Sequence, residues 1–313
     1  MEKEQHLNDP WLVAAWPGMG AVAISAGYYL MAKLGMHLLA EFPAREFFSQ
    51  ERVEVKDGLI HTGRLPRSRL FLWHDPRQQH DLIVFIGEAQ PPTKGGAFCS
   101  QLLGHAARLG VKRVFTFAAM ATQMRPEHES RVFGAAIDQE SLDDFKRLGM
   151  LPMEEGQISG LNGVLLGIAA ERGMSGGCLL GEIPSVFSQF PFPKASLQVL
   201  RIFSALAGIS LDFKELQTQS KQVEDGLANF LHQLENPQEN PESPAFEVGP
   251  AEPEERGERP DQLAPRDKQH LEELFEIAAK DRSKAYALKQ ELDRLKVFQE
   301  YEDRFLDLFK EPD

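Results

Sequence analysis

The feature that most constrains this chain is its alternation of short apolar runs with segments of helical period. Residues 11–16, 37–41, 81–87, 111–118 and 177–183 read as strands, with the run Leu82-Ile83-Val84-Phe85-Ile86 the most apolar of them. Residues 21–33, 96–109, 141–148, 163–172, 195–207 and 213–234 read as helices. Strands separated by helical stretches signal parallel strands joined by crossovers, so the expected class is α/β in a Rossmann-like arrangement. Residues 45–74 break the alternation. There, residues 51–56 and 59–63 alternate around Asp57-Gly58, a dipeptide that tolerates positive φ at both positions and favours a tight hairpin turn.

The last third has a different texture. Residues 236–267 carry seven prolines and few large apolar side chains, a composition that buries too little surface to offset its ordering entropy. The expected organisation is an α/β domain over 1–235, an acidic Pro-rich linker over 236–267, and a helical segment over 268–310. That segment contains neither Pro nor Gly. Leu271, Leu274, Ala278, Ala285, Leu288, Leu292 and Leu295 follow a spacing of threes and fours, with Asp281 at the one polar stripe position. Beyond Leu295 the stripe moves to Phe298, Tyr301, Phe305 and Leu308, beginning with two successive steps of three. A long helix or helical hairpin is expected, either as a short, locally overwound coiled coil or packed back on its own domain.

At 313 residues and 42% hydrophobic content the chain can bury a sizeable core. The net charge of −13 argues against a nucleic-acid partner, which needs clustered Lys and Arg. The imbalance is −9 in residues 236–313 and −4 in residues 1–235. Cys99 and Cys178 fit no metal or redox spacing and read as buried thiols of a reducing compartment. No run approaches a membrane span, and the polar opening Met1-Glu2-Lys3-Glu4 lacks the apolar stretch of a signal peptide. A cytoplasmic location without membrane association is the expectation.

Three glycines and two small polar residues, Gly156, Ser159, Gly160, Asn162 and Gly163, precede a helix and describe a shaped backbone turn. This segment resembles the central signature of the proteasome assembly chaperone 2 family. Further stretches match in order: Pro17-Gly18-Met19-Gly20 after the first strand, Asp57-Gly58, residues 81–91, and Leu180-Gly181-Glu182-Ile183-Pro184. Pro191-Phe192-Pro193-Lys194-Ala195-Ser196 and Gly208-Ile209-Ser210-Leu211-Asp212 close the match, which spans residues 10–216. The resemblance implies a phosphorylase-like three-layer α/β/α fold with a β-hairpin insertion. It also implies self-association into a homo-oligomer, trimer or larger, that binds protein subunits without catalysis or cofactor. Family members that dock on a proteasome ring often end in a hydrophobic residue, tyrosine and a final residue; Phe309-Lys310-Glu311-Pro312-Asp313 departs from that pattern, so insertion of the tail into a proteasome pocket is not expected and the identity of the client stays open.

Three chemical readings compete with a binding role. Gly18-Met19-Gly20 follows a strand and opens a helix, with Glu41 about 20 residues on, as in a dinucleotide fingerprint; the hairpins that follow do not continue a mononucleotide-binding half, which leaves a turn that lets the strand meet its helix, or an anion or small-ligand site at that helix N-terminus. Gly173-Met174-Ser175-Gly176-Gly177 has nucleophile-elbow spacing, but a helix precedes the serine and a strand follows, the reverse of what an elbow needs. Glu88 and Gln90 lie past the end of a buried strand, where open α/β sheets present ligands. With Gly18, Met19, Gly20, Ser159, Gly160, Asn162 and Glu182 they form the candidate ligand or interface cleft. Occupied by a nucleoside or phosphate ester it would belong to a hydrolase or phosphorylase-like enzyme; alternatively Glu88 caps the following turn and Gln90 bonds loop backbone. His74, His80, His105 and His128 lack helical ligand spacing, so no metal site is expected. A purely structural self-assembling protein remains the third alternative.

Overall fold

The computed structural model describes residues 7–43, 45–49, 53–56, 58–235 and 263–310. Its strands are β1 (Trp11–Ala15), β2 (His37–Glu41), β3 (Val53–Lys56), β4 (Leu59–Thr62), β5 (Ser68–Trp73), β6 (Leu82–Gly87), β7 (Arg113–Thr122), β8 (Val132–Ala136), β9 (Leu151–Pro152) and β10 (Ser175–Pro184). Eight of them form one mixed sheet in the order β2-β5-β6-β1-β7-β10-β8-β9. The central four, β6, β1, β7 and β10, are parallel. Antiparallel β5 and β2 extend one side, and β8 the other. Among the described residues β3 and β4 pair only with each other.

The helices are α1 (Val22–Lys33), α2 (Gly95–Arg108), α3 (Gln139–Arg147), α4 (Gly160–Glu171), α5 (Pro193–Leu206), α6 (Lys214–Glu235), α7 (Pro265–Lys280), α8 (Ala285–Arg294) and α9 (Phe298–Asp307). Successive strand residues point to opposite faces, and the core divides accordingly. Trp11, Val13 and Ala15 of β1 join the apolar cluster beneath α1, α3 and α5. Leu12, Ala14 and Trp16 join the cluster beneath α2 and α4. This is the expected α/β/α layering. Both thiols, Cys99 and Cys178, are buried, and burial pushes each up to about 12.

All six helices expected before residue 235 are present, with ends displaced by a few residues. Three strands were not foreseen in the sequence. β5 lies in the stretch that reads as a hairpin insertion, yet Leu70, Phe71 and Leu72 are fully buried and the strand pairs with β6. β8 and the two-residue β9 are short and carry Gly134 and Pro152, which dilute the strand signal. The hairpin itself forms at β3–β4, around the expected turn.

The C-terminal segment is three helices rather than one or two, and the breaks fall where the apolar stripe is irregular. α7 stops at Asp281, whose carboxylate accepts from the Ser283 N–H (3.0 Å), a local bond that competes with helix continuation. α8 ends before Lys296, which has φ 55°, and α9 begins at the shifted stripe residue Phe298. The stripe is used within the chain: Leu271, Ala278, Ala285, Leu288, Leu292 and Phe305 are buried in the same cluster as α1. Tyr28 of α1 meets Phe298 and Phe305 edge-on at 5.3 and 5.8 Å, and Tyr29 meets Tyr286 at 4.6 Å. Past α9, the Leu38 N–H of β2 donates to the Phe309 carbonyl (2.6 Å). Residues 236–262, most of the expected linker, lie outside the described residues.

Candidate functional site

The candidate residues gather along the C-terminal edge of the parallel strands, but they divide into three local arrangements. The first is the crevice between the turn after β1 and the start of α4. Gly20 sits in the left-handed region (φ 61°), and its N–H donates to the Ser188 carbonyl (2.8 Å) while its own carbonyl accepts from Phe192 (2.9 Å). The turn is thus fastened to the segment after β10, and Met19 projects outward, 47% exposed. Gln90 crosses the crevice: its amide Nε2 donates to the Pro17 carbonyl (3.1 Å) and its Oε1 accepts from the Leu161 N–H (3.0 Å).

The glycine signature follows from that closure. Gly160 has φ 70°, and a Cβ there would lie 2.8 Å from the Gln90 Oε1. A Cβ on Gly163 would lie 1.9 Å from the Ile158 carbonyl oxygen. Gly163 has no room for a side chain because backbone fills the space, and Gly160 is favoured by its left-handed backbone, with the movable Gln90 amide against it. Asn162 donates to the Phe117 carbonyl (3.0 Å), tying α4 to β7, and Ser159 is exposed at the helix N-terminus without a side-chain capping bond.

The second arrangement holds Glu182. It is 1% exposed, accepts from the Thr122 hydroxyl (2.7 Å), and is gripped by the Arg131 guanidinium at 2.8 and 2.5 Å. The Arg131 hydrogen bonds hold its carboxyl below the usual carboxylate range despite burial, so it is a committed ion-pair partner. The third arrangement takes Glu88 away from Gln90 and towards β5 and α9. Glu88 accepts from Arg64 (2.6 Å), Arg69 (3.0 Å) and the Arg67 N–H (2.8 Å). Glu88 therefore joins an arginine cluster rather than simply capping its own turn.

Sequence reading missed Arg64, Arg67 and Arg69, together with Asp303 of α9, which bonds Arg67 (2.7 Å) and Arg69. A signal was present: Arg64-Leu65-Pro66-Arg67-Ser68-Arg69 places three guanidiniums directly before an apolar run.

Apolar side chains face solvent along the same edge. In the β3–β4 hairpin Val53, Val55, Leu59 and Ile60 are all more than half exposed. Val53 and Val55 share one face with Ile60 and Thr62, since directly opposed residues project to the same side. Val186 and Phe190 are exposed beside the Met19 turn. A groove of about 490 Å³ runs beside α4, lined in part by Ile137, Met153, Ile158 and Leu166. Among the described residues no group of three His, Cys, Asp or Glu side chains could hold a metal ion, and no helix is long and apolar enough to cross a membrane.

Comparison with known proteins agrees with this architecture. An uncharacterised protein of Methanocaldococcus jannaschii is 25% identical over 231 residues, 73% of this chain and 84% of that one. The crystal structure of Pyrococcus furiosus PbaB, described as an archaeal proteasome activator, superposes with a TM-score of 0.60 at 24% identity, covering 73% of this chain and 94% of that one. The Mycobacterium tuberculosis proteasome-assembly chaperone homologue Rv2125 gives a TM-score of 0.60 at 21% identity, covering 70% and 94%. The PAC2 family model matches residues 12–231, and with most of its length accounted for in this way the chain belongs to the PAC2 family.

Proposed function

We propose that this protein is a non-enzymatic assembly chaperone that works as a homo-oligomer in the cytoplasm and binds protein subunits of a larger complex, the proteasome among the candidate clients. The observation that carries the reading is the state of the cleft. Gln90 spends its amide on the Pro17 and Leu161 backbone, while Glu88 and Glu182 spend their carboxylates on arginines. An enzyme of the phosphorylase-like kind needs such groups presented to substrate, with a basic cradle for phosphate. Here the polar groups are consumed and apolar side chains are presented, which suits a protein partner. The proteasome activator PbaB and the proteasome-assembly chaperone homologue Rv2125, which share this fold, support the same reading. The arrangement of α7–α9 weighs against an oligomer built on a terminal coiled coil, because the stripe such a coil would use is buried against α1.

Native mass spectrometry of the protein purified from its own host tests the proposal. A defined homo-oligomer carrying substoichiometric protein subunits supports it. A client-free oligomer that retains a nucleoside, nucleotide or phosphate overturns it in favour of the enzyme.

A further inference from the structure

Where α9 meets the sheet, three arginines face four carboxylates, and the pairing is uneven. Arg67 holds both Glu41 oxygens (2.7 Å each) and Asp303 (2.7 Å). Arg69, whose side chain is 1% exposed, holds Glu88 and Asp303. Arg64 lies close to Glu88 (2.6 Å) and Asp303 (3.2 Å) but only 3.5 Å from Glu302. The other Glu302 oxygen accepts from the neutral Tyr28 hydroxyl (2.8 Å). Glu302 is thus the carboxyl with the least cationic support, yet it is buried at 8% exposure and shares Arg64 with Glu88.

The remaining charges nearby are engaged elsewhere. Lys289 of α8 lies over the Tyr28 and Phe298 rings at 5.2 and 3.8 Å with its Nζ on Asp293 (2.6 Å). Arg304, two positions past Glu302 on α9, turns to Glu272 of α7 (2.6 Å).

We propose that Glu302, set against Glu88, is a proton-operated latch: the C-terminal helices grip the sheet when the Glu302 carboxyl is protonated and loosen when it gives that proton to water. Burial first, and then the Glu88 charge, raise the Glu302 carboxyl from about 4.5 to about 7. Between those values the docked helix keeps a proton that an undocked one releases, so the contribution is fully present below about pH 4.5 and is lost as pH rises through neutrality. Asp303 behaves oppositely: against the cost of its burial, Arg69 and the neighbouring arginines hold it below its ordinary value, so its contribution fails only in acid. The two windows together place the tightest grip on the acidic side of neutral.

Hydrogen exchange of the full chain, corrected for intrinsic rates and read on peptides from residues 265–310, tests the latch. Protection in α9 is expected to fall about tenfold between pH 6 and pH 8, the change one unit of differential proton affinity produces. Glu302→Gln, which keeps the Tyr28 bond and cannot ionise, is expected to flatten that slope, and Glu88→Gln to move its midpoint down. A role in packing alone would alter protection at every pH and leave the slope intact. A wild-type profile that is flat, or a Glu302→Gln slope equal to wild type, overturns the proposal.

Discussion

The β3–β4 hairpin and the α7–α9 helices both stand apart from the parallel sheet, and both carry apolar residues at regular spacing, but they spend them differently. The helices bury Leu271, Leu288, Leu292 and Phe305 to 0% exposure against α1, whereas the hairpin leaves Val55, Leu59 and Ile60 at 61%, 65% and 72%. A buried stripe contributes to the folded state of one chain; an exposed one contributes nothing until a second surface covers it. A two-stranded ribbon is marginal alone, so the hairpin draws little stability from its own exposed face. Periodicity of apolar residues therefore identifies a face and leaves open what meets it.

Substitutions can break or sharpen this contrast. The largest effect is expected for Phe305→Ala, which removes a fully buried ring packed on Tyr28, Phe298 and Phe309 and should cost about 4 kcal/mol in denaturant unfolding. A cost below about 1 kcal/mol would place the helices in the same class as the hairpin. Arg69→Leu should follow at about 3 kcal/mol, because it removes a buried cation shared by the buried Glu88 carboxylate and the partly exposed Asp303. Gly160→Ala should cost about 1–2 kcal/mol, combining strain at positive φ with the encroachment on Gln90. The smallest change in stability, within about 0.5 kcal/mol, is expected for the double variant Val55→Ser, Ile60→Ser, since neither side chain is buried. That variant should nevertheless weaken subunit association or client capture in light scattering and co-purification. An assembly that forms as before would remove the hairpin from the binding surface.

The fold was legible because its layers depend on local pattern. The apolar runs of β1, β6, β7 and β10 and the periodic helices between them are properties of short stretches, and the Asp57-Gly58 hairpin announces itself in two residues. The strand β5 was not, because Arg67 just before it and Arg69 within it obscure its apolar pattern and become intelligible only when Asp303, more than 230 residues on, arrives beside them. The candidate site shows the same division. Gln90 bonds backbone at Pro17 and Leu161, next to Gly18 and Gly160, and Gly160 is explained by its positive φ and by that crossing side chain, which no spacing rule reports. Glu88 and Glu182 look available in the sequence, and what commits them, the guanidiniums of Arg64, Arg69 and Arg131, is fixed by tertiary packing. The two breaks in the terminal helix were visible as Asp281 and as the shifted stripe after Leu295, although their meaning as helix ends needed the backbone.

The bond from the Leu38 N–H to the Phe309 carbonyl closes part of the outer border of the sheet beside β2 with the chain's own tail end. A sheet whose border offers free donors can recruit strands from other molecules and grow without limit. Here the route for lateral growth is narrowed on that side, while the hairpin and the Met19 turn stand at the end of the strands rather than along their flank. The residues just past α9 therefore guard this part of the border, because the donor that an added strand would need is already taken.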